Sequence, residues 1–170
     1  MTTIRALLAT AATVALLLTA PARANDWSNA VDVCQGSLPS FDASLRKRPL
    51  AINNEGAQPG FISCSIRAPL GQIEGGGTNV TQIIVLLTNR ASAAQSVSCT
   101  LVDGVAAPFP SFPAIYLPKT VDIQPGAFGV INWFDFETEA GRYRLPNLSC
   151  ALPPETEINI VQMNTAVAEA

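Results

Sequence analysis

Three of the four cysteines stand in one short pattern: an apolar residue, Ser, Cys, a small residue and an apolar residue. The segments are FISCSI at 61–66, SVSCTL at 96–101 and NLSCAL at 147–152. Because side chains alternate across a β-strand, each cysteine shares the apolar face with the residues two positions before and after it. The pattern therefore predicts three strands whose cysteines face the core and bridge either neighbouring strands or two packed sheets.

The cysteine count predicts two disulfides and no free thiol. The chain has four cysteines, no C-x-x-C and no histidine, which argues against zinc, haem attachment and a thioredoxin-type site. Four cysteines permit three pairings. Cys99 and Cys150 lie in the best-matched segments, so we expect them to pair. Cys34, near the start of the mature chain, is then left to pair with Cys64.

Strand signals are many and short after the first 24 residues, whereas helix signals are weak. About eight strands separated by Gly, Pro, Asn and Asp predict a single all-β sandwich of Greek-key or jelly-roll kind. The run 80–89 is apolar at both parities, which predicts a central strand buried on both faces. The basic triplet 46–48 predicts a solvated loop or a site open to proteases. The predicted strands are 49–54, 61–67, 80–89, 96–103, 114–123, 130–137, 142–152 and 157–167.

Residues 1–24 have the pattern of a cleaved secretory signal peptide. A basic residue precedes the apolar run Ala6–Ala20, and ARA at 22–24 supplies small residues before the cut. That run is shorter than the roughly 20 apolar residues of a membrane span, and no later stretch is long enough to cross a bilayer. We expect cleavage after Ala24, one mature domain over 25–170, and a periplasmic or secreted location.

The mature chain is mildly acidic, since the net charge of −3 becomes −5 when Arg5 and Arg23 leave with the signal peptide. Nucleic acids and anionic membranes reward clustered Lys and Arg, so we expect neither as a partner. The absence of histidine removes Ser-His-Asp and Cys-His catalysis in their usual forms. We therefore expect no catalytic activity, no metal and no cofactor.

The aromatic and acidic stretch Asn132–Tyr143 is the candidate for ligand contact. If Asn132 and Phe134 face the core together with Phe136, then Trp133 is exposed in line with two carboxylates and would suit a sugar platform. A calcium loop fits less well, because the acids lack the D-x-D-x-D-G order. The candidate contacts are Trp133, Asp135, Glu137 and Tyr143.

Two properties limit what this stretch can do. Asp135 and Glu137, two apart on a strand, lie about 6.6 Å apart along the chain and project side by side. A glycosidase instead needs two acids that flank the bond it cleaves. The alternative to any ligand site is that Trp133 is a core residue and the acids form a solvated turn.

The order of these features resembles a group of small secreted proteins of Proteobacteria in which a C-x-L-P-P strand precedes a closing I-x-S-Y-like strand. The matching residues are Cys34, C-S-I at 64–66, C-T-L at 99–101, C-A-L-P-P at 150–154 and an Ile-rich final strand. This chain has Ser65 where the group often has Pro, and INIVQM at 158–163 lacks the Ser-Tyr pair. The group has no assigned activity, so the resemblance implies fold and location only.

Two functions from different classes follow from the sequence. The first is a non-catalytic exported β-sandwich with a structural, envelope or interaction role, whose partner would be an envelope protein. The second is a carbohydrate-binding domain, or less fittingly a carbohydrate-cleaving one, that uses the stretch 132–143 to hold a glycan. A buried Trp133 favours the first function, and an exposed Trp133 favours the second.

Overall fold

A computed structural model of the protein describes residues 23–66, 78–104, 113–138, 143 and 145–167. Most of them lie in strands. The strands are β1 (Arg23–Asn29), β2 (Cys34–Gly36), β3 (Leu45–Arg48), β4 (Ala51–Asn54), β5 (Gly60–Ser65), β6 (Thr78–Asn89), β7 (Gln95–Asp103), β8 (Ile115–Ile123), β9 (Phe128–Phe134), β10 (Pro146–Leu152) and β11 (Thr156–Val167). The helical turns are α1 (Ala30–Val33) and two 3-10 turns, Pro39–Phe41 and Asp135–Glu137.

The strands form two antiparallel sheets. Sheet A has the order β3-β4-β11-β6-β9, and β1 pairs with β11 on the edge that β4 also uses. Sheet B has the order β2-β5-β10-β7-β8. The buried side chains of the two sheets form one continuous apolar core. The predicted all-β sandwich is therefore confirmed.

The connections of β4 to β11 are those of a jelly roll. The first strand of this set pairs with the last, and each next pair lies inside the previous one: β4 with β11, β5 with β10, β6 with β9, and β7 with β8. Successive strands lie in opposite sheets, except for the hairpin β7-β8. Nested pairing of eight strands across two sheets is the jelly-roll arrangement.

The eight sequence-predicted strands correspond to β4–β11, but one detail was wrong. In β6 the inward side chains Ile83, Val85 and Leu87 are buried by sheet B. Ile84 and Leu86 point outward and are only half-buried. β6 is thus a central strand covered on one face, not on both. Its apolar outward residues become important below.

Both predicted disulfides are confirmed. Cys34 lies directly opposite Cys64 in the β2–β5 pair, and Cys99 lies opposite Cys150 in the β7–β10 pair. All four cysteines are buried, and none is free. Each disulfide joins neighbouring strands of sheet B, so the two bonds fasten four of its five strands and none of sheet A.

Three strands were missed from the sequence, namely β1, β2 and β3. The basic triplet 46–48, predicted as a loop, is the exposed end of β3 and pairs with β4. The predicted signal peptide lies outside the described residues except for Arg23 and Ala24, which begin β1. Within the described part of the chain, no helix is long and apolar enough to cross a membrane.

Two buried asparagines close the corners where the chain leaves sheet A for sheet B. At the end of β4, the Asn54 side-chain amide donates to the carbonyl oxygens of Gln58 (2.8 Å) and Leu152 (2.7 Å), and its oxygen accepts from the Gly56 N–H (3.0 Å). Asn89 makes the equivalent three bonds at the end of β6. Buried amides on the inner side are thus fully hydrogen-bonded, as burial requires.

Candidate functional site

Trp133 faces the core, which is the alternative to an exposed Trp platform that the sequence left open. Its side chain is 0% exposed. The indole N–H crosses to the other sheet and donates to the Leu117 carbonyl oxygen at 2.8 Å. The parity of β9 is therefore the reverse of the one a Trp platform needs: Asn132 and Phe134 point outward, while the side chain of Phe136 lies outside the described part of the structure.

The acidic residues of the stretch do not extend β9 either. The strand ends at Phe134, and Asp135–Glu137 forms a 3-10 turn, so the two acids do not project side by side along a strand. The Glu137 carboxylate accepts from the Phe134 N–H at 2.8 Å and pairs with Lys119 Nζ at 2.8 Å. Lys119 also donates to the Asn132 carbonyl oxygen, which ties the turn to sheet B.

Tyr143 packs on the core side of the turn Asp135–Glu137. It is 0% exposed, its hydroxyl donates to the Phe134 carbonyl oxygen, and its backbone bridges to Val80. Burial raises the pKa of the Tyr143 phenol, and the nearby carboxylates of Glu137, Asp135 and Asp103 raise it further. The structure thus brings the four candidate residues together, but as a structural corner in which Trp133 and Tyr143 offer no surface to a ligand.

The same stretch contributes two residues to a different surface, the outer face of sheet A. Strand register places its side chains in four rows. These rows are Phe134–Gln82–Asn164, Asn132–Ile84–Gln162–Trp27, Val130–Leu86–Ile160–Asn29, and Phe128–Thr88–Glu157–Asn53–Arg46. In the rest of this article, "the outer face of sheet A" means these rows.

Large apolar side chains are exposed across this face. Phe128 is 71% exposed, Trp27 61%, Val130 39% and Phe134 37%. The half-buried Ile84 and Leu86 fill the space between them. By register, Phe128 and Trp27 lie at opposite corners, three strands and four residues apart. Strand spacing and rise put them about 20 Å from each other. A contiguous exposed apolar surface of this kind typically marks a binding site.

A ladder of side-chain amides runs through the same face. Gln162, which is 6% exposed, donates from Nε2 to Asn164 Oδ1 at 2.7 Å. Asn164 in turn donates from Nδ2 to Gln82 Oε1 at 2.7 Å. Because each amide orients the next, the ladder holds its remaining donors and acceptors in fixed positions. The first three rows contain no charged residue.

The fourth row is the polar end of the face. Glu157 is 5% exposed, and one of its carboxylate oxygens pairs with the Arg90 guanidinium. This pairing raises the pKa of Arg90, which therefore stays charged. Thr88 Oγ1 donates to Asn159 Oδ1 at 2.8 Å beside it. Carboxylate, amide, hydroxyl and guanidinium groups thus meet at one end of an otherwise neutral surface.

Unpartnered buried oxygens in the described residues also concentrate here. Three buried side-chain atoms have no hydrogen-bond partner: Asn53 Oδ1, Asn132 Oδ1 and Glu157 Oε2. All three belong to the outer face of sheet A, and all three are acceptors. Native proteins satisfy nearly all such groups. The outer face of sheet A is therefore the candidate site, and its unpartnered buried atoms are acceptors that a ligand with hydrogen-bond donors would satisfy.

Sequence reasoning missed Trp27 and most of this face, although the sequence carried a signal. Residues 80–89 and 128–134 are apolar at both parities. Two neighbouring strands with that property must present apolar side chains on both faces of their sheet. Among the described residues there is no group of three or more His, Cys, Asp or Glu side chains that could hold a metal ion.

Comparisons with known proteins add little to this picture. No family model matches the chain, and no curated protein matches its sequence. Among solved structures, the Tobacco streak virus coat protein is similar with 7% identity and a TM-score of 0.38, covering 86% of this chain and 89% of that one. TmCBM61, solved in complex with beta-1,4-galactotriose, has 7% identity and a TM-score of 0.34, covering 85% and 88%. Similarity at this level carries no argument about this protein.

Proposed function

We propose that the protein is an exported, non-catalytic binding module whose outer face of sheet A holds a neutral carbohydrate chain. The observation that carries the proposal is the composition of that face. It combines exposed aromatic and aliphatic side chains with an ordered ladder of amides and with buried acceptors that need donors. Trp133 is buried, which by the criterion stated from the sequence favours a structural or interaction role, so the glycan proposal rests on the outer face of sheet A alone.

Export is supported by two independent features. The first is the signal-peptide pattern of residues 1–24. The second is the pair of buried disulfides, which form and persist in oxidising compartments outside the cytoplasm. The mature chain that we propose begins at Asn25 and works in the periplasm or the medium.

A binding role is favoured over catalysis by the state of the reactive groups. The chain has no histidine, and all four cysteines are in disulfides. In the candidate stretch Asn132–Tyr143, the Glu137 carboxylate forms an ion pair with Lys119. Groups engaged in this way stabilise the fold. A general base must instead be within reach of a substrate proton.

A neutral glycan is the occupant that matches the chemistry of the face. Sugar rings present C–H faces that pack on aromatic and aliphatic side chains, and hydroxyls that both donate and accept hydrogen bonds. The three uncharged rows offer apolar surface and amides in alternation, so they attract neither a strongly basic nor a strongly acidic partner. A few fixed polar groups in an apolar surface are the usual make-up of a ligand site.

The test is binding of the mature protein to linear neutral hexasaccharides of glucose, xylose and mannose, measured by calorimetry. We expect one of them to bind, and Trp27→Ala to weaken its binding at least about tenfold, as expected for an exposed aromatic that a sugar ring packs on. The matched control is Tyr116→Ala, which removes an aromatic that is 66% exposed on the outer face of sheet B. This control should leave affinity unchanged.

Two outcomes would overturn the proposal. One is that none of the hexasaccharides binds the folded protein. The other is that sedimentation shows a dimer which Trp27→Ala dissociates, because the face would then be an interface between two copies. In the first case, capture of an envelope protein that Trp27→Ala abolishes would return the module to a protein-interaction role.

A further inference from the structure

The polar end of the outer face of sheet A holds two buried acceptors side by side. Glu157 on β11 lies directly opposite Asn53 on β4 in the strand register. Glu157 is 5% exposed, its Oε1 is paired with Arg90, and its Oε2 has no partner. Asn53 Oδ1 is also buried without a partner. A carboxylate buried to this degree without full pairing is costly, so the arrangement needs an explanation.

The charged groups around Glu157 and Asn53 determine which kind of ligand group can hydrogen-bond to both residues. Arg90 pairs with the carboxylate, and Arg46 lies opposite Asn53 on the next strand. A metal ion or ammonium group would meet the Arg90 guanidinium at close range, whereas the Arg46 guanidinium lies near Glu55 (Nε–Oε2 4.0 Å). A phosphate or sulfate would meet the carboxylate and an amide oxygen. The group that fits is a neutral donor, and a hydroxyl is the donor that a carbohydrate supplies.

We propose that Glu157 and Asn53 form a hydroxyl-binding subsite that sets which sugar is accepted at this end of the face. This inference rests on the proposed function. Both acceptor atoms are buried in the unbound protein, so a hydroxyl reaches them only if a neighbouring side chain moves, and Arg90, which is 62% exposed, is the neighbour that pairs with the carboxylate. A half-turn of the Asn53 amide, whose orientation is an assignment, would let its NH₂ group donate to Glu157, so a bound hydroxyl competes with this internal donor for the carboxylate.

The subsite selects for the position of the hydroxyl on the sugar ring as well as for its presence. Phe128, 71% exposed, lies in the same row two residues across from Glu157. A ring that packs on Phe128 and reaches toward Glu157 must pass Thr88, whose hydroxyl is already engaged with Asn159. Only a sugar whose hydroxyl projects from the ring edge on that side reaches both acceptors. Stereoisomers that differ at this hydroxyl should be separated here.

The test compares Glu157→Gln with Arg90→Gln, using the hexasaccharide that binds the wild-type protein and its monodeoxy derivatives. Glu157→Gln keeps the shape but turns one acceptor into a donor, and it should weaken binding about 10- to 100-fold. The monodeoxy derivative that lacks the hydroxyl bound by this subsite should bind the wild-type protein and Glu157→Gln with equal affinity. Arg90→Gln breaks the same ion pair and leaves both acceptors, so it should retain binding. Unfolding by urea is followed for each variant.

The outcomes separate this inference from the function on which it rests. If Glu157→Gln lowers stability but leaves affinity intact while Trp27→Ala still weakens binding, the pair is structural and the subsite is refuted, whereas the proposed function stands. If all deoxy derivatives lose the same affinity in wild type and in Glu157→Gln, no hydroxyl is read there and the subsite is also refuted. If no hexasaccharide binds the wild-type protein, the proposed function itself fails.

Discussion

The two sheets carry very different outer faces. On sheet B, where Phe61 and Tyr116 are exposed, many of the outward positions are small hydroxyl residues, such as Ser98 and Thr120, which pair at 2.6 Å. On sheet A they are large apolar residues and amides, with Phe128 and Trp27 more than half exposed. Sheet B also holds both disulfides, while sheet A holds none.

The contrast shows what each sheet is built for. A serine on a solvated strand face hydrogen-bonds to water or to a neighbouring hydroxyl, so the hydroxyl positions of sheet B need no partner. Large apolar side chains on the outer face of sheet A remain in contact with water at a cost, unless a ligand covers them. We infer that sheet B, with its disulfides, is the rigid support, and that sheet A presents the surface that binds.

Adjacent residues of β9 give the sharpest test of this contrast, and the largest expected effect. Trp133 faces the core and Phe134 the outer face. Trp133→Ala should lower the free energy of unfolding by about 3–5 kcal/mol, because it leaves a cavity and removes the bond to Leu117. Phe134→Ala should cost less than about 1 kcal/mol. Urea unfolding measures both values. Equal costs would mean that the outer face is already covered in the free protein.

The sequence predicted sheet B better than sheet A because the strands of sheet B alternate more cleanly between polar and apolar residues. In β5, β7 and β10, small polar residues alternate with buried apolar ones, so the period of two was unambiguous and both disulfides were predicted. In β9 both parities carry large apolar residues, and the pattern alone could not decide which face was covered. The bond from Trp133 to Leu117 on the other sheet decides it, and such a contact is not visible in a local pattern.

The missed strands have a related explanation. β3 carries the charged run Arg46–Arg48, and β1 is polar around a single tryptophan, so neither alternates. They are strands because β4 and β11 offer unpaired edges for them to pair with. Tertiary pairing of this kind overrides weak local propensity. The eight strands of the jelly roll were predictable, whereas its added strands, which bring Trp27 to the outer face, were not.

The two tyrosines sharpen the comparison through pH. Tyr143 is buried under the end of sheet A, and Tyr116 is exposed on sheet B. Burial, aided by neighbouring carboxylates, raises the pKa of Tyr143 above its ordinary value of about 10. Below that pH the phenol is neutral in both states. Above it only the unfolded chain ionises, so stability should fall as pH rises, by at most about 1.4 kcal/mol per pH unit.

Urea unfolding between pH 8 and 11 measures this dependence in wild type, Tyr143→Phe and Tyr116→Phe. Tyr143→Phe keeps the ring but has no group to ionise, so its stability should fall less steeply above pH 10. Tyr116→Phe leaves one tyrosine, and its phenolate absorbance should rise only as the protein unfolds. A Tyr143→Phe variant with the wild-type slope would show that other groups cause the alkaline loss.

The smallest expected effect is a difference in stability between two variants, each of which breaks one polar pair on one of the two outer faces. Asn164→Ala removes the middle of the amide ladder and leaves the Nε2 group of Gln162, which is 6% exposed, without its acceptor. An unsatisfied buried donor costs about 1–3 kcal/mol. Ser98→Ala breaks an exposed hydroxyl pair whose partner, Thr120, can turn to water, so it should change stability by no more than about 0.5 kcal/mol. Thermal and urea unfolding of the two variants, side by side, measure the gap. If both substitutions are equally mild, water replaces the ladder as readily as it replaces the serine pair. The amides would then be a solvated surface and not the fixed array of donors and acceptors on which recognition of a neutral glycan depends.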